Sequence, residues 1–160
     1  MFKKPKTLQD PNDYDHAWQY ALFLLNLSMR TVSEVEQKMV KRGYGKKVVI
    51  QVINNLKEDK FLDDDNYAEV FINSMKNYKT WGRFMMKKKM LEKKLPTSLI
   101  EQKLSELVTD EDELEIAKRF VSKQINDSKA LKKLDYQDKQ KLMRKLMSRG
   151  FAMDTVVKLF

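Results

Sequence analysis

The hexapeptide MVKRGY at 39–44 returns 107 residues later as LMSRGF at 146–151, in a chain that has only four glycines. Each copy runs from an apolar pair to a basic residue, a glycine and an aromatic ring. Glycine after a basic last turn marks a helix C-terminus, because it enters the left-handed region without a Cβ penalty. Gly43 and Gly150 are therefore expected to close helices. Arg42 and Arg149 stand where the helix dipole favours a cation. Tyr44 and Phe151 are expected to fold back onto the helices just ended, and amphipathic segments follow at 46–57 and 153–160. The unit read from each copy is a helix, a tight turn and a second helix.

A third copy lies between them as MLEKKL, residues 90–95, with Lys94 in place of glycine. A non-glycine residue there costs on the order of 1 kcal/mol, so this turn is expected to be slightly strained or differently shaped. Each unit also has a preceding helix with its own echo: ALFLLN at 21–26, AEVFIN at 68–73 and AKRFVS at 117–122. From each alanine to its turn residue the spacing is 22, 26 and 33 residues, which places the insertions in loops. The expected fold is all-α: tandem three-helix, helix-turn-helix-like repeats stacked into an elongated, curved array. The expected bounds are a tail at 1–13 and repeats at 14–58, 59–108 and 109–160. A unit of about 50 residues buries little alone and relies on its neighbours.

Helical periodicity supports this throughout. Val48, Val49, Val52, Ile53 and Leu56 form one stripe; Leu99, Ile100, Leu104 and Leu107 form a second; Leu142, Met143, Leu146 and Met147 form a third. Ser33 with Glu36 and Ser98 with Glu101 fit the spacing of capping boxes. In GRFMMKKKMLEKK, Met86 and Met90 lie on one side and Phe84 and Leu91 roughly opposite. That pattern predicts a helix packed on both sides. The ten methionines read as adaptable core fillers.

Enzyme chemistry has little to work with. There is no cysteine, which fits a reducing compartment, and the one histidine, His16, is read as lying just ahead of the first helix. A Cys/His metal site is thereby excluded, and no G-x-S-x-G elbow accompanies His16. GYGKK at 43–47 matches neither phosphate-loop pattern. Asp63, Asp64 and Asp65 read as a helix start, where carboxylates cap free amides, and no metal or other cofactor is expected. Trp18 and Trp81 read as core. No apolar run reaches the ~20 residues of a membrane span, and the start MFKKPKTLQDP lacks the apolar region of a signal peptide, so a soluble cytoplasmic protein is expected.

Charge is what remains. The net charge of +9 points to a polyanionic or acidic partner, and its distribution is uneven. Residues 76–103 hold nine Lys/Arg and two Glu, whereas 106–115 hold six acids and no base. Base-specific DNA reading has thin support. The third helices of the first two repeats offer only Gln51, Asn54 and Asn55, and Gln102.

Four stretches in order, ALFLLNLSMRTVSEVEQKMVKRGY, FLDDDNYAEVFINS, the glycine-led basic helix from Gly82, and KQKLMRKLMSRGF, resemble the RecX regulators of bacterial RecA recombinase. The likeness runs from about Ala17 to Phe160. Leu62, Asp63, Asp64, Tyr67 and Ala68 match the family's Leu-Asp-Asp turn, and Lys94 departs from its middle glycine. Longer members carry further segments, so the chain is read as a short form or a fragment. The resemblance implies a non-enzymatic regulatory protein that lodges in the RecA–single-stranded-DNA filament. There it would restrain filament growth, ATP hydrolysis, strand exchange and stimulated repressor cleavage, and so modulate homologous recombination, DNA repair and the SOS response. A monomer acting on RecA, with contact to single- or double-stranded DNA through a basic face, is expected.

The resemblance does not supply contact residues. Charge and repeat position nominate Lys41, Arg42, Lys46 and Lys47 in the first repeat, and Arg83, Lys87, Lys88 and Lys93 in the second. In the third they nominate Lys141, Arg144, Lys145 and Arg149. The alternative is a non-specific nucleic-acid-binding helical repeat protein.

Overall fold

The computed structural model describes residues 3–125 and 134–160. The first two residues of the expected tail, and 126–133 of the expected third repeat, lie outside the described residues. Among the described residues there are nine α-helices and no strand. They are α1 (Tyr14–Leu27), α2 (Val32–Arg42), α3 (Lys46–Glu58), α4 (Asp64–Ser74), α5 (Arg83–Glu92), α6 (Thr97–Leu107), α7 (Asp110–Gln124), α8 (Tyr136–Ser148) and α9 (Met153–Val157). They fall into three successive three-helix repeats.

The turns are built as the hexapeptides predict. Gly43 has φ of 103° and Gly150 of 83°, both left-handed. In the first turn the Gly43 amide bonds Val40 O at 2.9 Å and the Tyr44 amide bonds Met39 O at 3.3 Å. In the third, Gly150 bonds Met147 O at 3.0 Å and Phe151 bonds Leu146 O at 3.3 Å. These paired bonds satisfy the helix-end carbonyls and bring Tyr44 and Phe151 into the core. Lys94 takes the same hand, with φ of 58°, so the middle turn keeps its shape and bears the strain. Lys60 does the same after α3, with φ of 56°, where no glycine signals it.

Several helix starts differ from expectation. The capping box of α2 belongs to Thr31 and Glu34, and Ser33 lies inside the helix. Thr31 wins because its hydroxyl reaches the Glu34 amide while the Glu34 carboxylate reaches back to the Thr31 amide, at 3.2 Å each way. Ser98 also lies inside its helix; α6 begins after Pro96, whose missing N–H removes one of the amides a cap would serve. A box absent from the sequence reading joins Thr109 and Asp112 at the start of α7. His16 lies within the first turn of α1, because Asp13 accepts its backbone N–H and starts the helix earlier. Asp63 caps α4 through the Asn66 amide at 3.0 Å, and Asp64 accepts the Val32 amide at 2.9 Å.

The chain divides into two compact units that do not follow the repeats. One is Met1–Tyr67 with Lys93–Leu95; the other is Ala68–Glu92 with Pro96–Phe160. In the first, Ala17, Ala21 and Leu24 of α1 meet Val35 and Met39 of α2 and the predicted stripe of α3. Trp18 packs against this core and stacks with Tyr14 at 6.2 Å between ring centres. In the second unit the fully buried side chains include Ile72, Met86, Met90, Ile100, Ile116, Leu146 and Phe151.

The two-sided packing expected of α5 is not found. Met86 and Met90 are fully buried, whereas Phe84 is 63% exposed and Leu91 42% exposed. One face alone is covered, and its opposite carries apolar side chains into solvent. Met147 of the third stripe is also exposed, because the core in α8 narrows to Leu142 and Leu146.

Candidate partner-binding surface

The nominated cations divide by what they touch. Three lie in the repeat turns, and each reaches back to chain that precedes its own repeat. Arg42 donates to Pro5 O at 3.0 Å and Lys6 O at 2.8 Å, with its guanidinium 4.2 Å from the centre of the Tyr20 ring. Lys93 pairs with Glu34 at 2.6 Å while its carbonyl accepts the Thr31 hydroxyl at 3.0 Å. Arg149 donates to Lys79 O at 3.0 Å and lies 4.8 Å over Phe120. Planar arginine suits this double duty of stacking and carbonyl binding.

Arg83 is similarly engaged. It ion-pairs with Asp110, and its Nε lies 3.3 Å from Glu113, at an angle that makes no hydrogen bond. Glu113 is buried and also accepts the Arg83 amide at 2.9 Å and the Thr155 hydroxyl at 3.1 Å. These groups line a cleft of about 330 Å³ with Phe84, Lys87, Leu104 and Lys158. The Glu113 carboxylate is held by two hydrogen-bond donors and the Arg83 charge, and is spent on joining α5, α7 and α9.

The remaining nominated cations face solvent more freely. Lys41, Lys46, Lys47, Lys88 and Arg144 are exposed and form no ion pair among the described residues. Lys87 pairs with Glu101 at 2.7 Å, Lys141 with Asp138 at 3.0 Å, and Lys145 donates to Gln124 at 3.3 Å. On α5, positions 84, 87, 88 and 91 fall on one face at helical spacing, so Phe84 and Leu91 are flanked by two lysines. Around the first turn, Lys41, Lys46 and Lys47 adjoin in sequence the exposed Val40 and Ile50. Both patches combine apolar area with positive charge, which suits an acidic protein surface.

Sequence reasoning missed cations that hold the second unit together. Lys76 donates to Leu107 O at 2.6 Å and pairs with Asp112 at 3.2 Å. Arg119 donates to Lys76 O at 2.6 Å. Lys76 and Lys79 belong to a π-helical extension of α4, Met75–Lys79, whose wider turn leaves carbonyls for arginines to bind. Lys103 is buried against Glu69 and Glu106. No local sequence signal separates these residues from solvated ones, since each partner comes from a distant element or a helix neighbour.

Both ring nitrogens of His16 are taken, by Tyr44 Oη at 2.7 Å and Lys6 O at 3.1 Å. Among the described residues, no group of three or more His, Cys, Asp or Glu is placed to hold a metal ion. No helix there is long and apolar enough to cross a membrane.

Burial sets some of the ionisations. Burial raises Glu34, but the Lys93 hydrogen bond, the Thr31 amide and the nearby cations outweigh it, and the net direction is down. The Glu34 hydrogen bond in turn holds Lys93 above its ordinary value, against partial burial. Burial pushes Asp64 up despite its bond from Val32.

Comparison with known proteins gives the same three-part division. Residues 17–56 match the family described as RecX, first three-helix domain; 63–104 match the second and 110–160 the third. The protein named Regulatory protein RecX of Streptococcus pneumoniae serotype 19F (strain G54) is 32% identical over 148 residues, covering 92% of this chain and 55% of its own length. Its counterpart in Streptococcus gordonii is 29% identical over 149 residues, covering 91% and 54%. The chain thus spans about half the length of the curated relatives it matches. The crystal structure of RecX from Lactobacillus salivarius superposes with a TM-score of 0.81 at 25% identity, covering 92% of this chain and 94% of that one. A second crystal structure of regulatory protein RecX, at 22% identity, gives 0.77 and shares the fold.

Proposed function

The chain belongs to the RecX family of regulatory proteins, and from that premise we propose that it binds the RecA–single-stranded-DNA filament in the cytoplasm. Bound there, it inhibits the recombinase, ATPase and coprotease activities, and so modulates recombination, DNA repair and the SOS response. The observation that carries this reading is the run of three RecX domains across residues 17–160, in order. The exposed lysines without ion pairs, set beside apolar side chains on α5 and around the first turn, support a protein partner with acidic surface. Leu91, Val40 and Ile50 in these patches are aliphatic and offer no base-stacking face, which favours a protein partner over a nucleic acid.

The experiment is a titration of the chain into DNA-dependent RecA ATP hydrolysis, beside direct binding to the same single strand. Inhibition well below the concentration that saturates free DNA is expected. Inhibition that only tracks DNA occupancy would replace the proposal with simple DNA sequestration, which the net charge of +9 alone would favour.

A further inference from the structure

The cleft that holds Glu113 and the open face of α5 are one surface, because Phe84 and Lys87 belong to both. The buried polar groups of the cleft call for no polar ligand. Glu113 is almost wholly buried, and its carboxylate is already met by the Arg83 amide, the Thr155 hydroxyl and the Arg83 charge. Leu104, Ala152 and the ring of Phe84 supply apolar lining. At about 330 Å³ the cleft reaches the size of a small binding pocket, room enough for a large side chain.

The charges around it are taken up unevenly. Arg83 is opposed by Asp110 and Glu113, and Lys87 by Glu101. Lys158 is exposed and forms no ion pair among the described residues. Its charge still reaches Asp110, whose carboxyl is held below its ordinary value first by the Arg83 hydrogen bond and charge, with Lys158 adding to them. Asp154, on the same lining, also forms no ion pair among the described residues. Lys158 and the exposed Lys88 together outweigh it. The result is an apolar opening with a positive lip, continued along α5 by Leu91.

We infer, resting on the RecA reading above, that this cleft takes one large apolar side chain from an acidic segment of the partner protein. Carboxylates beside that side chain meet Lys158 and Lys88, and the segment lies along Phe84 and Leu91. Charge complementarity selects this occupant. An apolar anchor in a pocket, ringed by charge at its rim, is also how protein interfaces concentrate their affinity. A nucleotide fits less well. Phe84 is the one aromatic ring on the cleft lining, and a phosphate there would face Asp110 and Asp154 as well as the lysines.

The test uses the full chain with the photo-crosslinking variant Phe84→p-benzoylphenylalanine, irradiated with RecA filaments assembled on single-stranded DNA. Cross-linking to RecA is expected, at a segment where Asp or Glu flanks a large apolar residue, located by mass spectrometry. The same label at Tyr78, which is 79% exposed and outside the cleft lining, should give little product. In parallel, Lys158→Glu should raise the concentration for half-inhibition of RecA ATP hydrolysis about fivefold or more, with helical circular dichroism unchanged, and Lys158→Arg should not. Cross-linking from position 84 to the DNA would overturn the occupant. Equal cross-linking from 78 and 84 would overturn the cleft. So would inhibition by the unaltered chain with no cross-link from 84, or inhibition undiminished in Lys158→Glu; the proposed function would then stand. A cross-link to an acidic RecA segment without any inhibition would keep the cleft and overturn the inhibitory function, and the loss of both would overturn both.

Discussion

At Gly43 and Gly150 the same backbone conformation sits in different surroundings. A Cβ at Gly43 would meet only Leu8, at 3.5 Å, whereas one at Gly150 would collide with the backbone and Cβ of Met85. Gly43→Ala should therefore cost about 1 kcal/mol, the ordinary cost of a left-handed alanine. Gly150→Ala should cost more, because helix α5 must shift as well, and valine should be worse than alanine at both. Thermal unfolding of the four variants checks the order; equal losses at the two sites would mean that the third turn is loosely packed. Lys94 and Lys60 show the limit of reading such turns from glycine. Both adopt positive φ, and only Lys94 was legible, because its neighbours repeat the motif found at 39–44 and 146–151.

Helix α5 separates stability from binding. Met90→Asp would place a carboxylate in a fully buried site and should destabilise by roughly 3 kcal/mol or more. Phe84→Ser and Leu91→Ser, on the open face, should each change stability by about 0.5 kcal/mol or less. Denaturant titration distinguishes these outcomes. Lys88→Glu is the cleaner probe of function, since Lys87→Glu would also set a carboxylate against Glu101. Lys88→Glu should leave the unfolding midpoint unchanged; on the proposed function it should also weaken inhibition of RecA ATP hydrolysis, and that proposed inhibition should fall as salt rises. Undiminished inhibition would remove α5 from the binding surface. Periodicity located this helix and its buried methionines, but not the vacancy opposite them. Hydrophobicity fixes which residues prefer burial, while coverage depends on neighbours whose positions are set by distant contacts. Charge likewise found Arg42, Arg83, Lys93 and Arg149 without disclosing that carbonyls and carboxylates within the fold already hold them.

Across the molecule, ion pairs make stability depend on pH in a definite direction. Glu34 and Asp112 are both lowered in the folded protein. For Glu34, Lys93, the Thr31 amide and nearby cations outweigh burial; for Asp112, the Thr109 amide leads and Lys76 adds to it. Each therefore contributes stability that is complete above its ordinary value, 4.5 for Glu34 and 3.8 for Asp112, and is lost as pH falls through its lowered value. Asp64, raised by burial, works the other way and offsets part of that loss. Lys93, raised by Glu34, adds stability below 10.5 that disappears as pH climbs through its raised value. Melting temperature against pH should show a shallower acid decline in Glu34→Gln than in the unaltered chain; identical slopes would show that the pair is not linked to folding. The close approach of Gly82 to Gly150 carries a consequence of another kind. A Cβ on Gly82 would strike the Gly150 carbonyl, so Thr31, which starts α2 and serves Lys93, could not take its place. The repeats share one pattern, yet the junction at Gly82 does not admit the residue that serves at Thr31. A chain built with one repeat swapped, dropped or copied would bring mismatched ends together there, so the order of the repeats is part of what the packing specifies.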